Sequence, residues 1–134
     1  MIIATGVDIV KVERFKKLAD KHNFMCKVFS LQEREYLKDK SIESLAGLFA
    51  VKEAAVKAMG TGFRGFSPCD IEVTHDILGK PCITLHGNAK TTLKSTLKNL
   101  VRDNRGAKKF RRLHFHVSIS HTSTDAIAFV VLSL

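Results

Sequence analysis

Few features of a membrane, secreted or disulfide-bonded protein occur in this sequence. No apolar run approaches the roughly 20 residues that span a bilayer. The first residues, Met1 to Ala4, lack the basic segment and long apolar stretch of a secretory signal peptide. We therefore expect a protein with no membrane partner that stays in the compartment where it is made, and predict that this compartment is the cytoplasm.

Cysteine is scarce and unpaired in pattern. The three cysteines, Cys26, Cys69 and Cys82, are odd in number and form no C-x-x-C pair. A disulfide framework or a cysteine-based zinc site is therefore not expected. Reduced thiols in a reducing cytosol agree with this count.

What is present is the composition of one globular domain. Of the 134 residues, 45% are hydrophobic and 26% are charged. This length fits one core, so we predict a single domain over residues 1–134.

The periodicity of apolar residues predicts an α+β fold of about five strands and four helices. The strongest pattern is a long central helix over Ile42–Met59, which has an apolar stripe and ends at Gly60. Ser30 and Glu33 predict a capping box at the start of a shorter helix. The last segment is predicted to be a strand buried on both faces. The other predicted elements are strands at 2–7, 69–74, 81–86, 113–120 and 126–134 and helices at 12–22 and 89–102.

Positive charge is concentrated in two places. The net charge is +9, and residues 90–112 contain nine basic residues opposed only by Asp103. A second group comprises Lys11, Arg14, Lys16, Lys17 and Lys21. Such surfaces attract nucleic acids, anionic lipids, phosphorylated small molecules or acidic proteins, and charge alone does not choose among them. A solvated basic helix without a partner is an equal reading of residues 90–112.

Two carboxylates lie in unusual surroundings. Asp8 stands among apolar residues where the first strand is predicted to end, and Glu53 lies inside the alanine-rich helix. Asp8 could cap a helix, and Glu53 could pair with Lys57 four residues later. Alternatively, the two carboxylates meet across a strand–helix contact, where like charges require a divalent cation between them. Oxygen ligands with retained waters suit Mg²⁺.

Other polar positions are less specific. The segment after the central helix is Gly60-Thr61-Gly62, and its position favours a C-cap and a turn. Alternatively, glycines there would let a nucleotide approach the backbone. His121 follows a predicted strand, where it either caps a turn or faces a cleft. His114 and His116 share one strand face, but no third zinc ligand accompanies them.

Taken together, these segments resemble the short bacterial holo-acyl-carrier-protein synthases, a type of 4′-phosphopantetheinyl transferase. The similarity covers nearly the whole chain in the order and spacing of that family. The motifs that carry it are Gly6-Val7-Asp8-Ile9-Val10, Phe49-Ala50-Val51-Lys52-Glu53-Ala54-Ala55-Val56-Lys57-Ala58, Gly60-Thr61-Gly62, Asp70-Ile71-Glu72-Val73, Gly79-Lys80-Pro81, Leu85-His86-Gly87-Asn88-Ala89 and Val117-Ser118-Ile119-Ser120-His121-Thr122.

The resemblance implies transfer of 4′-phosphopantetheine from coenzyme A to a serine of apo acyl carrier protein, with release of 3′,5′-ADP, in fatty acid biosynthesis. It implies a homotrimer with clefts between subunits. Metal-bound water, Glu53 and His121 remain alternatives for the general base. The resemblance implies that the catalytic residues are Asp8, Glu53, Lys57 and His121, and that Asp8 and Glu53 bind Mg²⁺. The residues that it implies at coenzyme A are Lys57, Gly60, Thr61, Gly62, Ser120 and His121. The residues that it implies for docking the acidic carrier protein are Arg14, Lys17 and Lys21.

One departure from the family pattern concerns Leu48. The family commonly has an arginine here, which is associated with the nucleotide end of coenzyme A. Without this arginine, the contact with the nucleotide end of coenzyme A is either weakened or made instead by Lys52, by Arg64 or by a neighbouring subunit. Arg111 and Arg112 are further candidates.

Two other functions compete with this interpretation. In the first alternative the chain is an inactive trimeric relative of the family, and in the second it is a nucleic-acid-binding module. Only Phe110 and Phe115 provide aromatic rings near the basic stretch, which disfavours a stacking platform. We therefore expect no nucleic-acid partner.

Overall fold

The computed structural model describes the backbone of residues 1–103 and 113–134 and the side chains of residues 1–99 and 113–134. Within these ranges it confirms the predicted α+β class, with five strands and a long central helix. The basic residues from Arg102 to Arg112, including Arg111 and Arg112, lie outside the described side chains. The elements in chain order are β1 (Ile2–Lys11), α1 (Glu13–Leu18), α2 (His22–Val28), α3 (Leu31–Leu37), α4 (Ile42–Met59), β2 (Ile71–His75), β3 (Pro81–Leu85), α5 (Gly87–Asp103), β4 (His114–His121) and β5 (Asp125–Ser133).

The strands form two antiparallel sheets. The larger sheet has the order β1-β5-β4, and β2 and β3 form a separate hairpin. Helix α4 packs against β1 and β5. Its alanines, among them Ala50 and Ala54, are completely buried and allow this close packing. The core therefore lies between α4 and one face of the larger sheet.

Local signals determine the ends of α4 and α3 as predicted. The side chain of Ser41 caps the start of α4, and Gly60 ends it in the left-handed conformation with a φ of 70°. Ser30 and Glu33 form the predicted capping box of α3. Both boundaries depend on residues within one helical turn, so they can be recognised from the sequence.

The helix predicted over 12–22 is too long, because α1 covers only Glu13–Leu18 and the chain breaks before α2. Lys21 is extended, with a φ of −91° and a ψ of 104°, and α2 begins at the next residue. This break brings the ring of Phe24 within 6.4 Å of the rings of Phe15 and Phe49. Tertiary packing of aromatic rings thus overrides the helical pattern.

The closing strand is also not buried on both faces as predicted. Alternate residues of β5 face α4, while Ile127 and Phe129 remain 41% and 46% exposed. On the same outer face, Val7 and Ile9 of β1 lie opposite Phe129 and Ile127 and are 50% and 65% exposed. The larger sheet therefore has an apolar face that α4 does not cover.

A buried ion pair connects α3, α4 and β2. Lys52 and Glu33 are each 1% exposed, and their Nζ and Oε1 atoms are 2.8 Å apart. The ammonium also donates to the carbonyls of Pro68 and Ile71, and Glu33 Oε2 accepts from the amide of Val73. Because the hydrogen bonds are satisfied, the pair specifies how these elements meet.

The backbone of β1 approaches α4 most closely at Gly6. A Cβ atom added there would overlap the carbonyl oxygen of Ala54 and lie 2.8 Å from the amide nitrogen of Ala58. Only glycine allows this contact, and any larger residue must push the strand away from the helix.

Gly6→Ala should lower the free energy of unfolding by about 3 kcal/mol or more, because backbone atoms cannot move aside as side chains do. Gly65→Ala is the matched control, since it also removes a glycine but meets no atom within 4 Å. That control retains only the strain of its positive φ, about 1–2 kcal/mol. Urea denaturation of both variants measures the difference, and equal losses would contradict the close contact.

Candidate active site

Asp8 lies in the middle of β1, not at its end as predicted. It pairs with Ala128 of β5, and it follows Gly6 by two residues on the same face of the sheet. That face meets α4, so the carboxylate is directed towards the helix and is only 15% exposed. The glycine thus brings Asp8 close to the side chains of α4.

Glu53 and Lys57 occupy successive turns of α4 beside Asp8. Lys57 Nζ lies 2.8 Å from Asp8 Oδ1 and donates to the carbonyl of Val7 at 2.9 Å. Burial raises the pKa of Glu53, and the negative charge of Asp8 raises it further. Lys57 and Arg14 oppose this rise. The structure therefore brings together the two carboxylates and the lysine that the sequence singled out.

Helix α1 contributes a cation to the edge of this cluster. The Arg14 guanidinium lies 5.2 Å from the centroid of the Phe49 ring, one turn before Glu53 on α4. Lys17 is exposed on the same helix, and Lys21 is exposed at the start of α2. Of the predicted docking residues, Arg14 therefore lies at the carboxylate cluster, and Lys17 and Lys21 come later in the chain, beyond it.

His121 lies apart from the carboxylates. It lies at the end of β4, which is two strands away from β1. Strand spacing and a two-residue offset along the sheet put the Cα atoms of His121 and Asp8 roughly 12 Å apart. With Leu48 it lines a pocket of about 220 Å³. The other lining residues are Tyr36, Ser44, His75, Gly79, Pro81 and Ile119.

This pocket contains a flat aromatic wall. The rings of Tyr36 and His75 stack with centroids 4.4 Å apart. Burial and the positive charge of Lys40 lower the pKa of His75. Its ring is accordingly neutral at physiological pH, and the pocket presents flat and apolar surfaces with His121 at one side.

Lys52 does not replace the arginine expected at Leu48, so this prediction is wrong. Its ammonium is fully used by Glu33 and two backbone carbonyls in the core. Leu48 itself is 2% exposed, so no charge from α4 enters the pocket at this position. Arg64 is exposed near Gly62, and it stays a candidate.

The Gly60-Thr61-Gly62 turn follows Lys57 directly. Gly60 and Gly62 have positive φ values of 70° and 60°, and Thr61 Oγ1 donates to the carbonyl of Gly62. Ser120 lies on the outer face of the larger sheet, opposite Ile127. The turn is therefore adjacent to the carboxylate cluster, whereas Ser120 belongs to the apolar outer face.

The carboxylate cluster fits a hard divalent cation. Asp8 and Glu53 are both partly buried, and burial together with the negative charge of Asp8 raises the pKa of Glu53. Mg²⁺ typically uses one or two protein carboxylates and completes its shell with waters and substrate phosphates. Within the described residues, no group of three or more His, Cys, Asp or Glu side chains forms a closed metal site. Asp8 and Glu53 thus suit a cation shared with a phosphate ligand.

Comparison with protein families shows which family the chain belongs to. A family model described as the 4′-phosphopantetheinyl transferase superfamily matches residues 4–107. The chain belongs to this superfamily. The resemblance inferred from the motifs is thereby confirmed.

Similar members of the superfamily align over the whole chain. The holo-[acyl-carrier-protein] synthase of Clostridium kluyveri is 40% identical, covering 100% of this chain and 92% of the relative. The corresponding protein of Clostridium perfringens strain ATCC 13124 is 42% identical, covering 98% and 94%.

Solved structures of the superfamily share the fold. The Helicobacter pylori holo-[acyl-carrier-protein] synthase, in complex with coenzyme A, matches with a TM-score of 0.75 and 32% identity, over 96% of this chain and 99% of that chain. The Bacillus anthracis synthase, in complex with coenzyme A (3′,5′-ADP), matches with a TM-score of 0.73 and 33% identity, over 98% and 96%.

Sequence reasoning missed the packing role of Gly6, although it noted the glycine as part of a superfamily motif. A glycine two residues before an isolated aspartate in an apolar strand was the available signal. The fully buried state of Lys52 had no comparable signal, because its partner Glu33 already satisfied the capping-box pattern.

Glu53→Gln should raise the Tm of the metal-free protein at pH 7, because it removes a partly buried charge beside Asp8. Since the folded pKa of Glu53 is raised, its contribution to stability is fully present below the ordinary value of 4.5 and is lost as pH rises through the folded pKa. The gain in Tm should therefore disappear below about pH 4.5.

Thermal unfolding in the presence of a chelator, at several pH values, checks this expectation. Asp20→Asn serves as the control, since it removes a negative charge from an exposed position between α1 and α2. A Tm for Glu53→Gln equal to that of this control at pH 7 would show that the two carboxylates do not strain the fold.

Proposed function

We propose that this protein transfers the 4′-phosphopantetheine group of coenzyme A to a serine of apo acyl carrier protein and releases 3′,5′-ADP. The observation that carries the proposal is the cluster of Asp8, Glu53 and Lys57, which joins two carboxylates to an exposed ammonium. Membership of the superfamily and the coenzyme A in the H. pylori structure support the same activity. Fatty acid biosynthesis is the process that consumes such a modified carrier.

In the reaction, the serine hydroxyl attacks the β-phosphorus of coenzyme A. The new P–O bond forms as the bond to the 3′,5′-ADP oxygen breaks, and the serine proton passes to a base. Such a transfer depends mainly on positioning and on neutralising phosphate charge. Asp8 and Glu53 would hold a Mg²⁺ ion, which when bound supplies positive charge beside the diphosphate.

Lys57 provides a mobile charge for the phosphates. Its side chain is 53% exposed, and its pair with Asp8 is therefore weak and easily exchanged. When a diphosphate enters, the ammonium can leave Asp8 and donate to phosphate oxygens. A Cβ atom added at Gly60 would meet no atom within 4 Å, so the space beside this turn is open to a ligand.

The carrier protein would approach over α1. Arg14 lies at the edge of the carboxylate cluster, and Lys17 and Lys21 extend the positive surface away from it. An acidic carrier is attracted to this surface, and its serine would then meet the carboxylates. Association should accordingly slow as salt concentration rises.

We further propose that the active form is a homotrimer. The outer face of the larger sheet exposes Val7, Ile9, Ile127 and Phe129, which a subunit contact would cover. Within one chain, the pocket at Leu48 and His121 lies apart from the carboxylates, with His121 at roughly 12 Å from Asp8 by strand spacing. A cleft between subunits would bring the carboxylates of one chain to the pocket at Leu48 and His121 of its neighbour, which would hold the nucleotide end of coenzyme A.

A cytoplasmic location is part of the proposal. It is supported by the three cysteines, all of which are free thiols. Among the described residues, no helix is long and apolar enough to cross a membrane.

Mass spectrometry of apo acyl carrier protein incubated with this protein, coenzyme A and Mg²⁺ tests the activity. We expect the mass of the carrier to increase by one phosphopantetheine, and a chelator should abolish the increase. Asp8→Asn should lower the rate by about 100-fold or more while leaving the circular dichroism spectrum unchanged. Full activity in chelator, or in Asp8→Asn, would refute the metal assignment.

Phe129→Asp should convert the trimer into monomers and abolish transfer, since a carboxylate cannot be buried in an apolar contact. Light scattering should give the mass of three 14.9 kDa chains for the unaltered protein and of one chain for the variant. Ile77→Asp is the control, because Ile77 is fully exposed in the loop between β2 and β3. A monomeric but fully active Phe129→Asp protein would exclude a site shared between subunits.

A further inference from the structure

A second pocket lies away from the carboxylates, where α1, α2, α3 and α4 meet. Its volume is about 290 Å³. Three cationic residues line it together with apolar side chains, and no acidic residue is among the residues that line it. The lining residues are Ala19, Met25, Arg34, Leu37, Lys38, Lys40, Ser41, Ile42 and Leu45. The pocket therefore combines positive charge with an apolar wall.

Arg34 is the unusual member of this pocket. Its Nε atom is buried and has no hydrogen-bond partner among the described residues. One terminal nitrogen donates to Cys26 Sγ at 3.2 Å, and sulfur is a weak acceptor. No carboxylate of the described side chains lies within 4.0 Å of this guanidinium, although other cations of the chain, such as Lys52 and Lys57, have such partners. Arg34 consequently has an unsatisfied donor and an unpaired charge in a cavity.

The pocket and the carboxylate cluster lie at different positions along the same helix, α4. Leu45 precedes Glu53 by eight residues, which is about 12 Å along the helix axis. Phe49 lies midway between them and carries Arg14 of α1 over its ring. Ala19, at the end of α1, contacts the same pocket as Leu45. A partner lying along α1 would thus reach the carboxylates with one part and the pocket with another.

We propose that this pocket is a socket for an acidic side chain of the carrier protein and that Arg34 pairs with its carboxylate. The inference rests on the proposed function, since it names a contact of the same substrate. A carboxylate that enters the pocket would accept a hydrogen bond from the terminal nitrogen of Arg34 that has no partner among the described residues, since the other terminal nitrogen donates to Cys26. Methylene groups of the inserted side chain would pack against Met25, Leu37 and Leu45.

Charge and position favour a protein side chain over a free anion. Ala19 lines the pocket and stands in the chain between Lys17 and Lys21, both of which are exposed. Charges in a binding surface mainly steer encounter, whereas a carboxylate paired with a partly buried guanidinium also slows dissociation. Arg34 would therefore determine affinity for the carrier, and the exposed lysines the rate of encounter.

Steady-state transfer kinetics of Arg34→Gln test the socket. With coenzyme A saturating, we expect the KM for apo acyl carrier protein to rise about tenfold. The kcat should change less than twofold, because the pocket is about 12 Å from the reacting groups. Lys27→Gln is the matched control; it removes one positive charge from an exposed position on α2 outside the pocket, and its KM should stay near that of the unaltered protein.

A second variant covers the case in which Arg34→Gln fails to fold, as judged by circular dichroism. Ala19→Glu places a carboxylate at the pocket from within the chain, so it should occupy Arg34 and raise the KM for the carrier. Ala19→Gln, which has the same size without the charge, should raise it less.

Three results would overturn the socket. The KM for the carrier could be the same in Arg34→Gln and Lys27→Gln, or the same in the two Ala19 variants if Arg34→Gln does not fold. The KM for coenzyme A could rise instead, which would assign the pocket to a phosphate of that substrate. Absence of any transfer by the unaltered protein would remove the proposed function and the socket together, which distinguishes that failure from the first two.

Discussion

The contact between the backbones of β1 and α4 at Gly6 is the constraint on which the site depends. A side chain at this position would overlap the carbonyl of Ala54, so the strand can lie against the helix only because Gly6 has none. The same approach places Asp8, two residues further along the strand, beside Glu53 and Lys57 of the helix. The carboxylate pair is therefore a consequence of backbone packing between β1 and α4.

The folded chain carries a cost at this point that a ligand can relieve. Burial and Asp8 both raise the pKa of Glu53, so the ionised pair opposes folding at neutral pH. Lys57 offsets part of the repulsion with a half-exposed ammonium. A cation between the carboxylates would remove the repulsion and release Lys57 for a phosphate ligand. Strain of this kind is common where a protein stores affinity for a ligand. The buried pair of Glu33 and Lys52 contrasts with it, because there each charge already has its partner within the chain.

The sequence predicted the parts of the fold that depend on local signals. Gly60 and the capping box of Ser30 and Glu33 specify helix ends within a single turn, and they were recognised. The break before α2 was missed, because it accompanies the packing of Phe24 against Phe15 and Phe49, and no local pattern specifies that tertiary contact. The exposure of Ile127 and Phe129 was missed because the sequence of a strand with apolar residues on both faces is the same whether its second face is covered or exposed within the chain. The association of Asp8 with Glu53 was proposed as one of two alternatives, and spacing alone could not choose between them. Superfamily motifs chose between them, and the packing at Gly6 now gives the physical reason.

Titration of Mn²⁺, observed by electron paramagnetic resonance in the presence of coenzyme A, tests the central claim most directly. The account predicts one bound ion per chain for the unaltered protein. In Glu53→Gln this binding should be weakened by about tenfold or more, since one of two carboxylate ligands is lost. Equal Mn²⁺ binding in the two proteins would contradict the claim that the close approach of β1 and α4 creates a cation site.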